Sequence, residues 1–250
     1  AIEKLKKADV TSIAVCYLHA YKESKHEKET HVRIKSKLPG VSVSLSSEVF
    51  PEIKEYERVS TTVVNAYVRP VVEKYLRKLG DRLRETGYQG PVLIILSHGG
   101  VAPIDEAVRL AAGTVLSGPA GGVAGSRYGS SLIGAENLVP FDMGGTSTDI
   151  SMIVNGEPAL SSTRGIAGQR VALQSLDIVS IASGGGSIAR VDNGGILRVG
   201  PESAGAVPGP ACYGKGGVEV AVTDASVVLG FLDPNNFIKS SIETLTFEPP

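Results

Sequence analysis

The chain has little of three things that would place it in a protein class at once: cysteine, net charge and long apolar runs. Only two cysteines occur among its 250 residues, Cys16 and Cys212, and they lie far apart without the spacing of a metal site. Such sparse cysteine is typical of a reduced compartment rather than of a disulfide-stabilised secreted domain. We therefore expect a cytoplasmic protein.

The charges nearly cancel, because 25 Lys and Arg residues face 26 Asp and Glu residues for a formal net charge of −1. A chain without an excess of either sign has no overall electrostatic attraction for nucleic acid or for an anionic membrane. No apolar run approaches the roughly 20 residues that a membrane-spanning helix needs. We expect neither nucleic acid nor a membrane as a partner.

The first ten residues, AIEKLKKADV, contain neither an initiator methionine nor the apolar core of a signal peptide. This start is typical of the interior of a longer polypeptide. We therefore expect the chain to be an internal fragment.

What the chain has in quantity is glycine, with 30 residues that lie mostly after Gly90. Helical and strand patterns alternate along the sequence, which predicts an α/β fold. The run GPVLIILSHGG predicts a strand buried on both faces, and TVL predicts a short strand. The following SGPAGGVAGSRYGSSLIG predicts a helix, with Ser117 as its N-cap and Pro119 in its first turn.

The stretch FDMGGTSTDIS places two acids, two glycines and three hydroxyls between apolar strand patterns. Glycines without a Cβ let backbone N–H groups close around a phosphate, and hydroxyls add further donors. Asp142 and Asp149 would lie across the turn, where they can hold a divalent cation through water or position a nucleophilic water. The alternative is a β-hairpin whose turn happens to be polar. The predicted phosphate contacts are Gly144, Gly145, Thr146 and Thr148.

A second glycine cluster, SGGGS at residues 183–187, predicts a further backbone anion site. A tight turn that lets the PGPACYGKGG loop pass close by is the alternative. The cofactor-binding candidates in this cluster are Gly184, Gly185, Gly186 and Ser187.

Three other residues carry weaker signals. His98 ends a predicted strand, where it can contact substrate or nucleotide or hold the Gly99–Gly100 turn. Cys212 is interpreted as a small buried hydrophobe rather than a nucleophile. Asp224 is interpreted as an N-cap or first-turn residue of the last helix, VTDASVVLGFL, with a polar contact in an active cleft as the alternative.

Several of these blocks carry a family resemblance. FDMGGTSTDIS resembles the second phosphate motif of the actin-like ATPase superfamily, and SGPAGGVAGS is similar to the helix that connects its two ribonuclease H-like lobes. The chain as a whole resembles the hydantoinase A family, which includes ATP-dependent 5-oxoprolinase and the acetone and acetophenone carboxylases. The blocks that carry this closer resemblance are SSEVFPEIKEYERVSTTVVNAYVRP, SHGGV, SGGGSIARVD, LRVGPESAGAVPGPACYGKGG and VTDASVVLG.

The resemblance implies an actin-like fold of mixed sheets and flanking helices. Residues 1–126 would be the end of the first lobe with the connecting helix, and residues 127–250 the start of the second. It implies an ATP-dependent hydrolase of a cyclic amide, with ATP and Mg²⁺ as cofactors. A ketone carboxylase subunit and a non-catalytic nucleotide-binding module are the alternatives. A second subunit of the hydantoinase B type is the implied partner.

The chain departs from the family in two ways. Family members carry another Asp-Gly-Gly-Thr-type turn in the first lobe, and none occurs before Asn137. We therefore expect the isolated chain to bind ATP weakly and to show no turnover. Relatives also commonly have histidine where this chain has Val179, which implies that any metal or substrate role of that histidine is lost or relocated.

Overall fold

A computed structural model of the chain describes residues 2–166 and 168–234. By their internal contacts these residues form two units. The first contains the residues up to Glu136 together with Val154–Asp177, and the second contains Asn137–Ile153 together with the described residues from Ile178 onward.

The described helices and strands follow one another in a mixed α/β order. The helices are α1 (Ile2–Lys7), α2 (Lys25–Lys37), α3 (Ser46–Val49), α4 (Glu55–Glu85), α5 (Ile104–Arg109), α6 (Ser117–Leu132) and α7 (Val222–Val228), with 3₁₀ turns at Ala111–Thr114 and Ala211–Tyr213. The strands are β1 (Ser12–Val15), β2 (Ser42–Leu45), β3 (Leu93–Ile95), β4 (Val101–Pro103), β5 (Phe141–Met143), β6 (Thr148–Ser151), β7 (Ile153–Val154), β8 (Glu157–Pro158), β9 (Leu160–Ser161), β10 (Arg164–Ile166), β11 (Gln169–Val171), β12 (Ser175–Leu176), β13 (Ile178–Ile181), β14 (Ser187–Val191) and β15 (Leu197–Ser203). None of these helices is long and apolar enough to cross a membrane.

The first unit opens with a parallel β-α-β arrangement, in which β1 pairs with β2 and α2 makes the connection. Helix α2 is charged along most of its length, and Ile34 is the apolar residue that it buries. This side chain packs with Val15, Val43 and Leu45 into one of the unit's hydrophobic cores. Amphipathic pattern and burial thus agree for this helix.

Helix α4 is 31 residues long and continues through Pro70 without ending. Proline has no N–H, so the carbonyl of Ala66, four residues earlier, loses its helical donor. The Ser12 hydroxyl of strand β1 donates to that carbonyl at 2.7 Å. A hydroxyl from a neighbouring strand therefore replaces the missing helical hydrogen bond.

Buried Asn65 fixes helix α4 to its surroundings. Its Nδ2 donates to the Ser44 hydroxyl at 3.0 Å and to the Arg109 carbonyl at 3.2 Å. Its Oδ1 accepts the N–H of Ala112 at 2.9 Å. Because every polar atom of this buried amide has a partner, its burial carries no unpaired-group penalty.

Three local predictions for residues 90–117 need correction. Strand β3 pairs antiparallel with β4, and Leu93 is 52% exposed, so the strand is not buried on both faces. The segment TVL does not form a strand, because a 3₁₀ turn ends at Thr114. Helix α6 is present as predicted, but Leu116, at φ 65°, is its N-cap and Ser117 is its first helical residue.

The predicted lobe boundary between residues 126 and 127 falls within helix α6. The contact units change at Glu136, and residues 154–177 return to the first unit. The assignment of residues 1–126 and 127–250 to two lobes stays a prediction.

Candidate functional site

Residues 144–147 form a tight turn between strands β5 and β6 of the second unit, and we call this segment the Gly-Gly turn. The N–H of Gly144 donates to the Ser147 carbonyl at 2.9 Å and closes it. Gly145 and Thr146 are exposed. In the described part of the chain, the amides of Gly145, Thr146 and Ser147 donate to no acceptor. The turn therefore offers free N–H groups at the surface, which is the property an anion site needs.

Asp142 and Asp149 stand directly opposite each other in the antiparallel pairing of β5 with β6. Ser180 of β13 lies opposite Asp149 on its other side, and its hydroxyl donates to Asp149 Oδ1. Side chains of directly opposed residues share one face of a sheet. Strands β5, β6 and β13 thus carry a polar row, which we call the acid row: Asp142, Asp149 and Ser180.

The acid row suits a hydrated divalent cation. Like charges directly opposite each other in a sheet destabilise it, and a cation between them would remove that repulsion. Mg²⁺ prefers carboxylate oxygens and commonly keeps several waters beside one or two protein ligands. Within residues 2–166 and 168–234, no group of three or more His, Cys, Asp or Glu side chains converges. A cation at the acid row would therefore keep water in its shell.

Thr148 lies on the opposite face of strand β6 from Asp149, as alternation along a strand requires. It is fully buried, and its hydroxyl donates to the Ser183 carbonyl. Thr146, in contrast, is exposed in the turn. The structure therefore separates two hydroxyls that the sequence analysis placed together, and only Thr146 lies open to a ligand.

The second glycine cluster, residues 183–187, forms a loop against the Gly-Gly turn, and we call it the glycine loop. The N–H of Gly185 donates to the Gly144 carbonyl at 2.9 Å, and that of Gly186 donates to the Gly145 carbonyl at 2.6 Å. Gly184 N–H donates to the Ser187 hydroxyl at 2.9 Å, and Ser187 N–H to the Gly184 carbonyl at 2.9 Å.

This arrangement differs from the predicted anion site at Gly184, Gly185, Gly186 and Ser187. Their four amides already have protein acceptors, so the glycine loop supports the Gly-Gly turn instead of presenting N–H groups of its own. Gly184 approaches closest: a Cβ there would lie 2.6 Å from the Thr146 carbonyl carbon. The glycine is thus required for space.

Helix α7 contacts the glycine loop through Thr223. The N–H and the hydroxyl of Thr223 both donate to the Gly185 carbonyl, each at 2.8 Å. The neighbouring Asp224 carboxylate accepts the N–H groups of Cys212 and Ala221, each at 2.7 Å. The interpretation of Asp224 as a first-turn residue of the last helix is confirmed.

The environment of Cys212 makes it a poor nucleophile. Burial, followed by the hydrogen bond and the charge of Asp224, raises the pKa of its thiol to about 12. A thiol with this pKa is almost entirely protonated at neutral pH. Cys212 therefore fits the small buried hydrophobe that its sequence context indicated.

We predict that Asp224→Asn destabilises the fold at pH 7 by about 1–3 kcal/mol, because an amide cannot replace all the hydrogen bonds of the buried carboxylate. Burial raises the pKa of Asp224, but hydrogen bonds from Cys212, Ala221 and Ala211 outweigh it and lower the pKa overall. A lowered pKa gives stability above the unfolded value of about 3.9, and this stability is lost as the pH falls below it.

The wild-type advantage over Asp224→Asn should therefore be full at neutral pH and shrink below about pH 4. Urea unfolding of both proteins across this range measures it. An advantage that is constant from pH 7 to pH 3 would contradict the role assigned to the carboxylate.

His98 belongs to the first unit and is exposed. Its Nδ1 accepts the N–H of Gly100 at 3.1 Å, which agrees with the turn-holding interpretation. A contact of His98 with substrate or nucleotide stays a prediction.

Val179 lies opposite Ile150 and is 60% exposed. It points to the face of the sheet away from the acid row, because it alternates with Ser180. Its side chain therefore does not take part in that row.

Comparison with known proteins shows what the chain as a whole is similar to. The family model described as Hydantoinase/oxoprolinase matches residues 58–246. Caprolactamase subunit alpha of Pseudomonas jessenii is 38% identical over 242 residues, which cover 97% of this chain and 35% of that protein. 5-Oxoprolinase 1 of Arabidopsis thaliana is 41% identical over 231 residues, which cover 91% of this chain and 18% of that protein.

Two solved structures resemble the whole chain. A nucleotide-free structure of acetone carboxylase gives a TM-score of 0.77 at 29% identity, over 98% of this chain and 35% of that one. The ATP-dependent caprolactamase from Pseudomonas jessenii gives 0.75 at 36% identity, over 97% and 35%. The chain thus spans about a third of these two proteins. The predicted α/β, actin-like ATPase fold is confirmed by these likenesses, and with a family match over most of its length the chain belongs to the hydantoinase/oxoprolinase family.

Proposed function

We propose that the protein of which this chain is a part uses ATP to open a cyclic amide. The similar proteins include a 5-oxoprolinase and a caprolactamase described as ATP-dependent. The observation that carries the proposal to this chain is the Gly-Gly turn, where free amides and the acid row occur together.

The chemistry needs one activation step. ATP transfers a phosphoryl group to the amide oxygen and is released as ADP. One water adds to the carbonyl carbon, the carbon–nitrogen bond breaks and the nitrogen takes a proton, which leaves an acyl phosphate. A second water attacks the acyl carbon, and phosphate leaves with the former amide oxygen. The residues of this chain bind and orient. The amides of Gly145 and Thr146, with the Thr146 hydroxyl, hold phosphate oxygens. Asp142 and Asp149 would hold Mg²⁺ through water, and the ion would supply positive charge that stabilises the transferring phosphoryl group.

A ketone carboxylase is the second candidate, because the likeness to acetone carboxylase has a TM-score of 0.77. In that enzyme class the same phosphate site would activate an enolate or bicarbonate oxygen instead of an amide oxygen. The acid row and the Gly-Gly turn serve either reaction, so the substrate assay must decide.

A second subunit of the hydantoinase B type is the partner that we propose, and the cytoplasm is the proposed location. The similar caprolactamase chain is itself named as a subunit, which supports assembly from different chains.

The test is ATP consumption by the full-length protein, with and without its proposed partner subunit. Hydantoin, 5-oxoproline, caprolactam, and acetone with bicarbonate are offered separately. We expect phosphate release that depends on one of the cyclic amides, with a ring-opened product. Release that depends on acetone and bicarbonate would establish the carboxylase instead. Nucleotide binding without substrate-dependent turnover would overturn both and favour a non-catalytic module.

A further inference from the structure

We propose that Thr223 is a positioning residue for the phosphate-binding amides of the Gly-Gly turn. It acts through the glycine loop, and it touches neither nucleotide nor substrate. The proposal rests on the function proposed above, and it identifies a part of the site that lies some 80 residues further along the chain.

The first step concerns the direction of the free amides. A peptide unit is a rigid plane in which the carbonyl and the next N–H point in opposite directions. Gly144 and Gly145 have their carbonyls bound by the glycine loop. The N–H groups that share those two peptide planes belong to Gly145 and Thr146. These free N–H groups are therefore held pointing away from the glycine loop.

The second step applies the same reasoning to the peptide that joins Gly185 and Gly186. Thr223 binds the Gly185 carbonyl with both its N–H and its hydroxyl, each at 2.8 Å. The N–H in that same peptide plane belongs to Gly186, and it donates to the Gly145 carbonyl at 2.6 Å. Thr223 thus orients the Gly185–Gly186 peptide. That peptide in turn orients the Gly145–Thr146 peptide, which carries the Thr146 N–H.

The third step is that Thr223 is itself held firmly. It is 7% exposed and lies in the first turn of helix α7, beside the carboxylate of Asp224 that ties this turn to residues 211 and 212. The fit against the loop is close, because a Cβ on Gly185 would lie 2.7 Å from the Thr223 hydroxyl oxygen. Because Thr223 is fixed and lies in close contact with Gly185, its hydrogen bonds set the position of that part of the glycine loop as well as stabilising it.

The test compares three variants of the full-length protein. Thr223→Val removes the hydroxyl and keeps the shape, and Thr223→Ser keeps the hydroxyl. Ser226→Ala is the matched control, since the Ser226 hydroxyl donates to the Val222 carbonyl of the same helix at 3.0 Å and does not bind the glycine loop. One lost hydrogen bond is expected to change binding by about 3- to 10-fold.

We expect Thr223→Val to raise the KM for ATP by this factor while the KM for the organic substrate stays unchanged. Thr223→Ser should restore the wild-type value, and Ser226→Ala should leave it unchanged. Equal effects of Thr223→Val and Ser226→Ala on the KM for ATP would overturn the proposal, as would a lower melting temperature with an unchanged KM.

A second readout needs no turnover. Hydrogen exchange followed by mass spectrometry should show faster exchange of the amides in residues 184–187 for Thr223→Val, and not for Ser226→Ala. Unchanged exchange there would overturn the positioning role of Thr223 even if the protein hydrolyses ATP. If the wild-type protein uses no ATP but the exchange difference is present, the proposed function is overturned and the effect of Thr223 on the glycine loop is retained.

Discussion

Asparagine in place of Asp142 is expected to lower ATP turnover by the full-length protein at least about 100-fold. The substitution keeps the shape of the side chain and removes one of the two carboxylates that would hold Mg²⁺ near the phosphates. It also removes a like-charge contact with Asp149 across the strands, which is unfavourable without a cation. The variant should therefore be at least as stable as the wild type in the absence of divalent ions.

This combination of lost activity and retained stability separates a catalytic role from a structural one. Glu202→Gln is a matched control, because Glu202 is an exposed acid of the same unit that pairs with Arg190 on the neighbouring strand. ATP turnover and thermal unfolding, each measured with and without Mg²⁺, provide the comparison. ATP turnover by Asp142→Asn within about threefold of wild type would show that Asp142 is not part of the site.

The second large effect is expected at Gly184. An alanine Cβ would lie 2.6 Å from the carbonyl carbon of Thr146 and 2.7 Å from the nitrogens of Thr146 and Ser147. These are backbone atoms that cannot rotate away, so the Gly-Gly turn or the glycine loop must shift. We expect Gly184→Ala to destabilise the protein by about 1–3 kcal/mol and to weaken ATP binding at the same time.

Gly145→Ala tests whether space is the cause. Gly145 lies in the Gly-Gly turn, and among the described residues, its two chain neighbours aside, no heavy atom lies within 4 Å of a Cβ added there. The free energy of unfolding of Gly145→Ala should stay within about 0.5 kcal/mol of wild type, although a methyl group there can obstruct a phosphate. Denaturant unfolding of both variants gives the comparison. Equal stability of Gly184→Ala and wild type would refute the close approach.

The sequence was informative where function depends on local pattern. Gly-Gly followed by hydroxyls between two apolar runs indicates a turn with exposed amides, and the turn lies at Gly144 and Gly145 as predicted. The α/β class was also readable, because the apolar spacing that separates helices from strands is a local property. Helix α6 was predicted despite its glycines, although its cap was assigned one residue too late.

The sequence was silent where position depends on pairing between distant strands. Ser180 joins the acid row only through the register of β13 with β6, and nothing in its own neighbourhood marks it. The glycine loop looked like a second anion site because glycine content alone does not reveal whether the amides are already used. Thr148 was misjudged in the same way, since a hydroxyl near a turn can face either side of the strand.

The proline within helix α4 has a consequence for how the first unit assembles. The hydroxyl that serves the Ala66 carbonyl comes from Ser12, which lies 54 residues earlier in the chain. A free peptide covering only Glu55–Glu85 has no such donor, and it would behave as two shorter rods joined by a hinge at Pro70. The hydrogen bond from Ser12 therefore couples the continuity of the longest helix of the unit to the docking of strand β1.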